Sequence, residues 1–265
     1  MHTVLVAIAL VLSLVLPSPA RAAEATVYLE DMTWIEVRDA IAAGRSTVIV
    51  PVGGTEQSGP HMALGKHNVR ARVLAARIAA QLGNALVAPV VAYVPEGDVA
   101  GTSGHIRFAG TITIPPEVFR GLLEGAARSF RRAGFRDIVL IGDHGGYQSD
   151  LAAVAAKLNR ERAMTPARVH FIPEYYTSAT EPFAAALRQR GLSEAQIGSH
   201  AGSADTSLML AIDPRLVRAD RLSRAPAAAD GTYGDPRPST AALGQAGVDL
   251  IVAASVNAIR RAAVR

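Results

Sequence analysis

Short apolar runs rich in β-branched residues alternate along this chain with longer segments of helical period. The runs at residues 46–52, 85–94, 137–142 and 167–172 predict strands. The segments at 68–82, 116–134 and 149–163 predict helices. Strands that are apolar on both faces and alternate with helices are typical of a mostly parallel sheet with helices on both sides. The hydrophobic pattern therefore predicts an α/β fold.

The C-terminal part of the chain continues with two more predicted helices, at 204–212 and 242–262. Between them, residues 223–240 are rich in Ala, Pro and Gly and predict a loop. Residues 173–182, "PEYYTSATEP", are also interpreted as a loop, one that forms part of a pocket wall. There is no internal repeat and no second hydrophobic pattern. We therefore expect one domain over residues 23–265.

The first residues have the pattern of a secretory signal peptide. An apolar run at 4–16 is followed by a Pro-containing break and by Ala20, Arg21 and Ala22. The run is too short to span a bilayer comfortably, and small residues of this kind mark a cleavage site. We expect cleavage after Ala22, export to the periplasm and no stable membrane insertion afterwards. The start lacks Lys and Arg, and a retained N-terminal anchor is the alternative.

Composition narrows the classes of function. The chain has 27 Lys and Arg against 23 Asp and Glu, a net charge of +4. The arginines are scattered, without the clustered basic face of a nucleic-acid-binding protein, so no nucleic-acid partner is expected. The absence of cysteine excludes disulfides, a thiolate nucleophile and Cys metal ligands. Any metal would be held by His, Asp and Glu.

Polar residues follow two of the predicted strands. Glu56, His61 and His67 come after the first strand, and His144 comes directly after the third, in "DHGG". Because ligands bind at the carboxyl ends of strands in such sheets, we expect these side chains to share one crevice. The Gly pair of "DHGG" suits a tight turn, although an ordinary strand-to-helix turn explains it equally well. His170, inside a strand, is interpreted as a hydrogen-bonded core residue.

Other functional patterns are absent or have a structural explanation. The chain has no Gly-x-Gly-x-x-Gly after a strand, and 53–60 lacks the Lys of a phosphate-binding loop. In 101–105, His105 stands where a nucleophile elbow has its second Gly, so a serine hydrolase is not supported. His200 lies in a Gly-containing loop before Asp205, which could equally cap a helix.

Four motifs together carry a resemblance to a known family. They are "TEQSGPHMAL" at 55–64, "GHIRFAGTITI" at 104–114, "GDHGGY" at 142–147 and "HAGSADTS" at 200–207. In order and spacing, over roughly residues 30–260, the chain resembles the creatininase (creatinine amidohydrolase) family. The resemblance implies a three-layer α/β/α sandwich, hydrolysis of a C–N amide bond, commonly at a two-metal centre, and a homo-oligomer.

The resemblance also implies roles for individual residues. Glu56 and His144 match metal ligands, and Asp205 matches the acidic residue of the last motif. His200 matches a histidine implicated in proton transfer, and His61 matches one that supports the ligands.

Several positions depart from the family pattern. Ser58 stands in place of a ligand His, and His67 stands in place of the Asp that bridges two metals. Further replacements remove two Glu, at Gly104 and Ser203, and two Asn, at Gly142 and Tyr147. A neutral imidazole offers one lone pair and cannot bridge two ions. We therefore expect one divalent ion, Zn or Mn, rather than two, and the expected ligands are Glu56, His67, His144 and Asp205.

The leading hypothesis is an exported metal-dependent amidohydrolase that acts on a small cyclic or linear amide. His200 and Asp205 are its expected catalytic residues, with His200 moving the proton. Ser58, His61 and His105 are expected to support the ligands or contact substrate, and the loop around Glu96 and Asp98 to shape the pocket. The competing hypothesis is a binding protein of the same fold that has lost its metals. In a third, the polar residues only cap helices and form turns.

Overall fold

The computed structural model of the chain describes residues 26–102, 104–161, 166–223 and 226–263. The predicted signal peptide, residues 1–22, lies outside the described residues.

The central sheet has four parallel strands in the order β2-β1-β3-β4. The strands are β1 (Thr47–Val52), β2 (Ala85–Val87), β3 (Asp137–Gly142) and β4 (Arg168–Phe171). The predicted second strand, 85–94, is too long, since β2 ends at Val87. Pro89 has no amide hydrogen to donate to the ladder, and beyond it only Val91 forms an isolated bridge, with Val52.

The α-helices among the described residues are α1 (Trp34–Ala42), α2 (Lys66–Leu82), α3 (Pro116–Ala133), α4 (Gln148–Arg160), α5 (Glu174–Gln189), α6 (Glu194–Ile197), α7 (Ser203–Ile212), α8 (Ala219–Leu222) and α9 (Ala241–Ala263). The five helices predicted from the sequence are present. The loop predicted at 173–182 is wrong, because α5 occupies this segment with Pro182 inside it. Tyr175, Phe183 and Leu187 are buried on one face of α5, and this packing outweighs the cost of the proline.

Alternate residues of the strands enter two separate cores. Val48, Val50 and Leu140 pack on one face of the sheet, with Phe119 of α3 and Leu151 of α4. On the other face, the core combines strand residues with side chains of α2, α5, α7 and α9, namely Ile49, Val139, Ile141, Leu74, Ile78, Phe183, Leu208 and Val252. The sheet is therefore covered by helices on both sides, and the predicted α/β/α fold class is confirmed.

Helix α9 is apolar enough in composition and length to cross a membrane, with a mean hydropathy of 1.5. One face of it is nevertheless buried, including Gly244, Gly247 and Val256. A Cβ at Gly244 would lie 1.8 Å from the carbonyl oxygen of Ser207. Helix α9 thus packs closely against α7 and is part of the core.

The strand order fixes where a site can form. The chain moves outward from β1 through α2 to β2, and then returns to the other side of β1 to form β3. The connections on either side of the β1–β3 pair therefore leave in opposite directions, which opens a crevice at the carboxyl ends of these two strands. The segments that follow Val52 and Gly142 enter this crevice.

Candidate metal centre

The segment after β1 carries Glu56 into the interior. Gly53 and Gly54 make this possible, since a Cβ at Gly53 would lie 2.2 Å from Oδ1 of Asn68 and one at Gly54 2.7 Å from Oε1 of Glu96. Asn68 Oδ1 instead accepts a hydrogen bond from the amide of Gly54 at 2.9 Å. Glu56 is fully buried as a result.

The turn after β3 places Asp143 and His144, and Tyr147 fixes it to the β1 segment. The Tyr147 hydroxyl accepts from the amides of Asp143 (3.1 Å) and His144 (3.0 Å) and donates to the carbonyl of Gly53. Nδ1 of His144 accepts from the amide of Gly146 at 3.2 Å. The Nε2 atom of His144 is therefore the one directed at Glu56.

Three side chains could together hold a metal ion: Glu56, His105 and His144. Their ligand atoms lie within 4.8 Å of one another. Oε2 of Glu56 is 3.6 Å from Nε2 of His144 and 3.7 Å from Nε2 of His105. These distances exceed those of hydrogen bonds, so the three groups surround a gap. His105 enters from a short 3₁₀ turn, His105–Arg107, that no strand supports.

A second buried carboxylate, Glu96, lies beside this triad. Its Oε2 is 3.5 Å from Nδ1 of His144. Among the described residues, neither of its oxygens has a hydrogen-bond partner, and the same holds for Oε2 of Glu56. Burial, together with the charge of Glu56, raises the pKa of Glu96 to about 9. Three buried carboxyl oxygens without a hydrogen-bond partner in the described part of the chain thus lie next to two imidazoles.

Two histidines of this centre, His144 and His200, favour the neutral form. Burial lowers the pKa of His144 to about 4; the charge of Glu56 opposes this, and the charges of His67, Lys66 and His105 add to it. Burial and the charge of Lys66 likewise lower the pKa of His200 to about 4. Neutral imidazoles keep a lone pair that can bind a metal or accept a proton.

His67 lies between two carboxylates. Its Nε2 is 2.8 Å from Oε1 of Glu56, and its Nδ1 bonds to Oδ1 of Asp143. Burial disfavours the charge on Glu56. The hydrogen bond from His67, its charge and the charge of Lys66 nevertheless hold the pKa of Glu56 below its usual range. Both ring nitrogens of His67 are therefore engaged, which leaves no lone pair for an ion in this arrangement.

Asp205 lies in an ion-paired group with Lys66 and Arg70. It bonds to Nζ of Lys66 and, at 2.7 Å, to Nη1 of Arg70. Arg70 also bonds to both oxygens of Asp143, with Nε at 2.8 and 3.0 Å. Burial disfavours the charge on Asp205, but Lys66 and Arg70 hold the pKa of this carboxyl well below its usual range.

His200 is held by the backbone of the β1 segment. Its Nε2 donates to the carbonyl of Gln57 at 2.9 Å, so Nδ1, 3.7 Å from Oε1 of Glu56, is the nitrogen left with a lone pair. Asp205 accepts from the amide of Ala201, whose φ of 55° lies in the left-handed region. The ion-paired Asp205 thus fixes the loop that presents His200.

Two further residues predicted from the sequence lie at the edge of the centre. His61 is buried and its Nε2 is 3.0 Å from the hydroxyl of Thr206 in α7. The hydroxyl of Ser58 is buried and has no hydrogen-bond partner within the described part of the chain. Neither belongs to the group of potential ligands.

A cavity of about 650 Å³ lies above these groups. Lys66, Arg70, His144 and His200 line its inner end, and Tyr176 and Tyr233 line it further along. Two of the three potential ligands, His105 and His144, therefore face a space large enough for a small organic molecule.

Comparison with known proteins identifies the family of the chain. The model of the creatininase family, described as creatinine amidohydrolase, matches residues 30–259. The chain belongs to the creatininase family. It is 28% identical to the creatinine amidohydrolase of Pseudomonas putida over 215 residues, 78% of this chain and 80% of that protein. It is 31% identical to a mycofactocin precursor peptide peptidase of Mycolicibacterium smegmatis over 224 residues, 75% of this chain and 78% of that protein.

Two solved structures share the fold and are described by their metals. One, described as creatininase Mn, has a TM-score of 0.72 and is 26% identical. The match covers 89% of this chain and 98% of the creatininase chain. The other is a mutant creatininase of Zn-Zn type, with a TM-score of 0.71 and 25% identity over 90% of this chain and 98% of its own. The predicted family and its hydrolase activity are confirmed at this level.

The structure arranges the predicted site residues in two groups. Glu56 and His144 lie in the potential metal triad, where His105 joins them, although His105 was expected only to support ligands or contact substrate. His67 and Asp205, predicted as ligands, are instead bonded to other side chains. The sequence reasoning passed over Lys66 and Arg70. Lys66 lies before the start of the helix predicted at 68–82, so the sequence carried no signal that placed it on one helix with Arg70.

Proposed function

We propose that this protein hydrolyses a C–N amide bond at a centre that binds one divalent metal ion, Zn or Mn, through Glu56, His105 and His144. The observation that carries the proposal is Oε2 of Glu56, which is buried without a hydrogen bond among the described residues and faces both imidazoles. An isolated buried carboxylate is costly, and a cation removes that cost. In this proposal His67 and Asp205 act in support of the ligands.

The donor set suits such an ion. Two imidazole nitrogens and a carboxylate oxygen are ligands that Zn and Mn accept, and Glu96 offers a further carboxylate beside them. Ligation by Nε2 of His105 places its proton on Nδ1, which lies 2.6 Å from the Gln57 side-chain amide. The amide oxygen of Gln57 would then have to face His105 to accept that proton.

The chemistry divides between the ion and the side chains. A divalent ion held there would polarise the amide carbonyl and favour deprotonation of water near neutral pH. His200, with its Nδ1 lone pair facing the centre, accepts a proton and delivers it to the leaving nitrogen.

The proposed substrate class is a small cyclic or linear amide. The relatives are described as acting on creatinine and on a precursor peptide, and a cavity of about 650 Å³ suits a small amide or the end of a peptide. Export after signal cleavage and assembly into a homo-oligomer remain part of the proposal, supported by the N-terminal sequence pattern and the family resemblance respectively.

The test is metal analysis with matched variants. The purified protein, dialysed against Zn or Mn, is expected to retain about one ion per chain. His105→Ala should lower metal affinity by more than about 100-fold, since loss of residues that only support ligands already costs 10- to 100-fold. The control is His170→Ala. It removes a histidine of β4 that bonds to Asp137 of β3, and it should leave the ion in place.

Activity is then measured on a panel of cyclic amides, linear amides and short peptides. His200→Ala should retain the metal and lose turnover. A wild-type protein that binds no ion would overturn the proposal. One that binds the ion and a panel compound but never releases product would favour the binding-protein hypothesis instead.

A further inference from the structure

Lys66 is unusual in this chain. The sequence has only two lysines, Lys66 and Lys157, among 27 basic residues. Lys157 is half exposed and pairs with Glu124 on the surface. The side chain of Lys66 has no exposed surface, and it lies at the inner end of the cavity. A buried ammonium group needs a carboxylate partner, so its presence in an otherwise Arg-rich protein points to a specific role.

Lys66 connects the two carboxylates on either side of it. Its Nζ bonds to Oδ2 of Asp205 and lies 4.0 Å from Oε1 of Glu56. By the family resemblance, Glu56 matches a metal ligand and Asp205 matches the acidic residue of the last motif. The ammonium group thus occupies the space between Asp205 and Glu56 that an ion bridging them would need.

Arg70, one helical turn further along α2, also offsets the charge of carboxylates at this centre. It pairs with Asp205 and with Asp143, while His67 links Asp143 to Glu56. Three carboxylates, two of them buried and that of Asp205 19% exposed, are therefore held together by Lys66, Arg70 and His67, all three from the first five residues of α2. Every member of this group has a partner of the kind that offsets the cost of its burial.

We infer that Lys66, with Arg70, takes the electrostatic place of a second metal ion and excludes one from this centre. The inference rests on the proposed function and deepens it, because it explains why only the Glu56–His105–His144 side takes an ion. It contrasts with the Zn-Zn type neighbour. Lys66 is then a positioning residue. It holds Asp205, which holds the amide of Ala201 and so the loop bearing His200.

The first experiment counts ions in the full purified chain at tenfold excess Zn. Wild type and the matched surface variant Lys157→Met should each retain one ion. Lys66→Met should retain two, because it removes the ammonium group from between Oδ2 of Asp205 and Oε1 of Glu56. Two ions in wild type, or an unchanged single ion in folded Lys66→Met, would overturn the inference. No ion in wild type would overturn the proposed function itself, so the two failures differ.

A second measurement serves if Lys66→Met does not fold. Lysine labelled with ¹³C at Cε gives two side-chain signals in the wild-type chain, and Lys157→Met assigns them. The first equivalent of Zn should shift the Lys66 signal, and further Zn should leave it unchanged. A second shift or loss of the Lys66 signal at the second equivalent would show displacement of the ammonium group and overturn the inference.

Discussion

The inner end of the cavity has two halves that differ in how their charges are compensated. In the open half, Glu96, His105 and His144 surround Oε2 of Glu56, and three carboxylate oxygens lack hydrogen bonds within the described residues. In the paired half, Asp143 and Asp205 are bonded to Lys66, His67 and Arg70. The two halves meet beyond the carboxyl ends of β1 and β3, at Glu56 and at Asp143 and His144.

The two halves share one residue and are otherwise joined by neighbours in sequence. Oε1 of Glu56 bonds to His67 in the paired half, while Oε2 faces the open half. Asp143 and His144 are adjacent in sequence and belong to opposite halves. Uncompensated buried groups are costly and are kept where a ligand completes them, whereas paired groups hold the framework. The comparison therefore assigns ion binding to the open half and support to the paired half.

The largest effect on stability is expected from Arg70→Met. This change leaves Asp143 and Asp205 with less compensation, and breaking a buried ion pair costs about 3–5 kcal/mol. Arg72→Met removes a half-exposed arginine of the same helix, paired with Glu30, and should cost less than about 1 kcal/mol. Urea denaturation of the metal-free proteins measures both. Equal losses would mean that the paired half does not support the fold.

Glu56→Gln should have the next largest effect, and on metal binding above all. It removes the carboxylate that both halves share, so the affinity for Zn or Mn should fall by more than the roughly 100-fold limit seen for supporting residues. Titration against a coloured chelator measures this. Glu117→Gln, an exposed acid at the start of α3, is the control. Retention of wild-type affinity would remove Glu56 from the ligand set.

Much of the framework of both halves is predictable from the sequence. Apolar runs on both faces of β1 and β3 identify buried parallel strands, and Glu56 and His144 follow their ends, where ligands of such sheets bind. The local hydrophobic pattern, together with the usual position of ligands in parallel sheets, is sufficient for this prediction. Helix α5 escaped prediction because Pro182 is unfavourable locally, and only packing in the folded protein compensates for it.

The pairing within the site could not be predicted, for an equally physical reason. Helix α2 begins at Lys66 after Gly65, two residues before the predicted start, and Gly65 provides no side-chain cap that the sequence would reveal. That shift turns Lys66, His67 and Arg70 toward Asp143 and Asp205, which lie more than 70 residues away. Similarly, His105 reaches Glu56 through a segment without regular strands.

Tyr147→Phe tests the connection between the halves and should have a smaller effect. The hydroxyl accepts from the amides of Asp143 and His144, one residue from each half. Losing it leaves a buried amide unsatisfied, which costs about 1–3 kcal/mol. Denaturation measures that cost, and metal titration should show weaker binding as His144 loses its fixed position. Phe130→Leu, in the helical layer, should lower stability without changing metal affinity.

Near pH 4.5, Glu96→Gln should have the smallest effect of these changes, and its stabilising effect should grow as the pH rises. Because the pKa of Glu96 is raised to about 9, the folded metal-free protein keeps this group protonated above the pH at which the unfolded chain releases the proton. Wild-type stability should then fall as pH rises from about 4.5 toward 9. Gln is neutral at every pH, so the stability of the metal-free variant lacks that slope. The variant should therefore be more stable than the wild type at pH 8 and nearly equal to it near pH 4.5. Denaturation at both values decides. If stability depended on pH equally in the two proteins, the charge of Glu96 would already be compensated in the folded protein. Glu96 would then not belong to the open half.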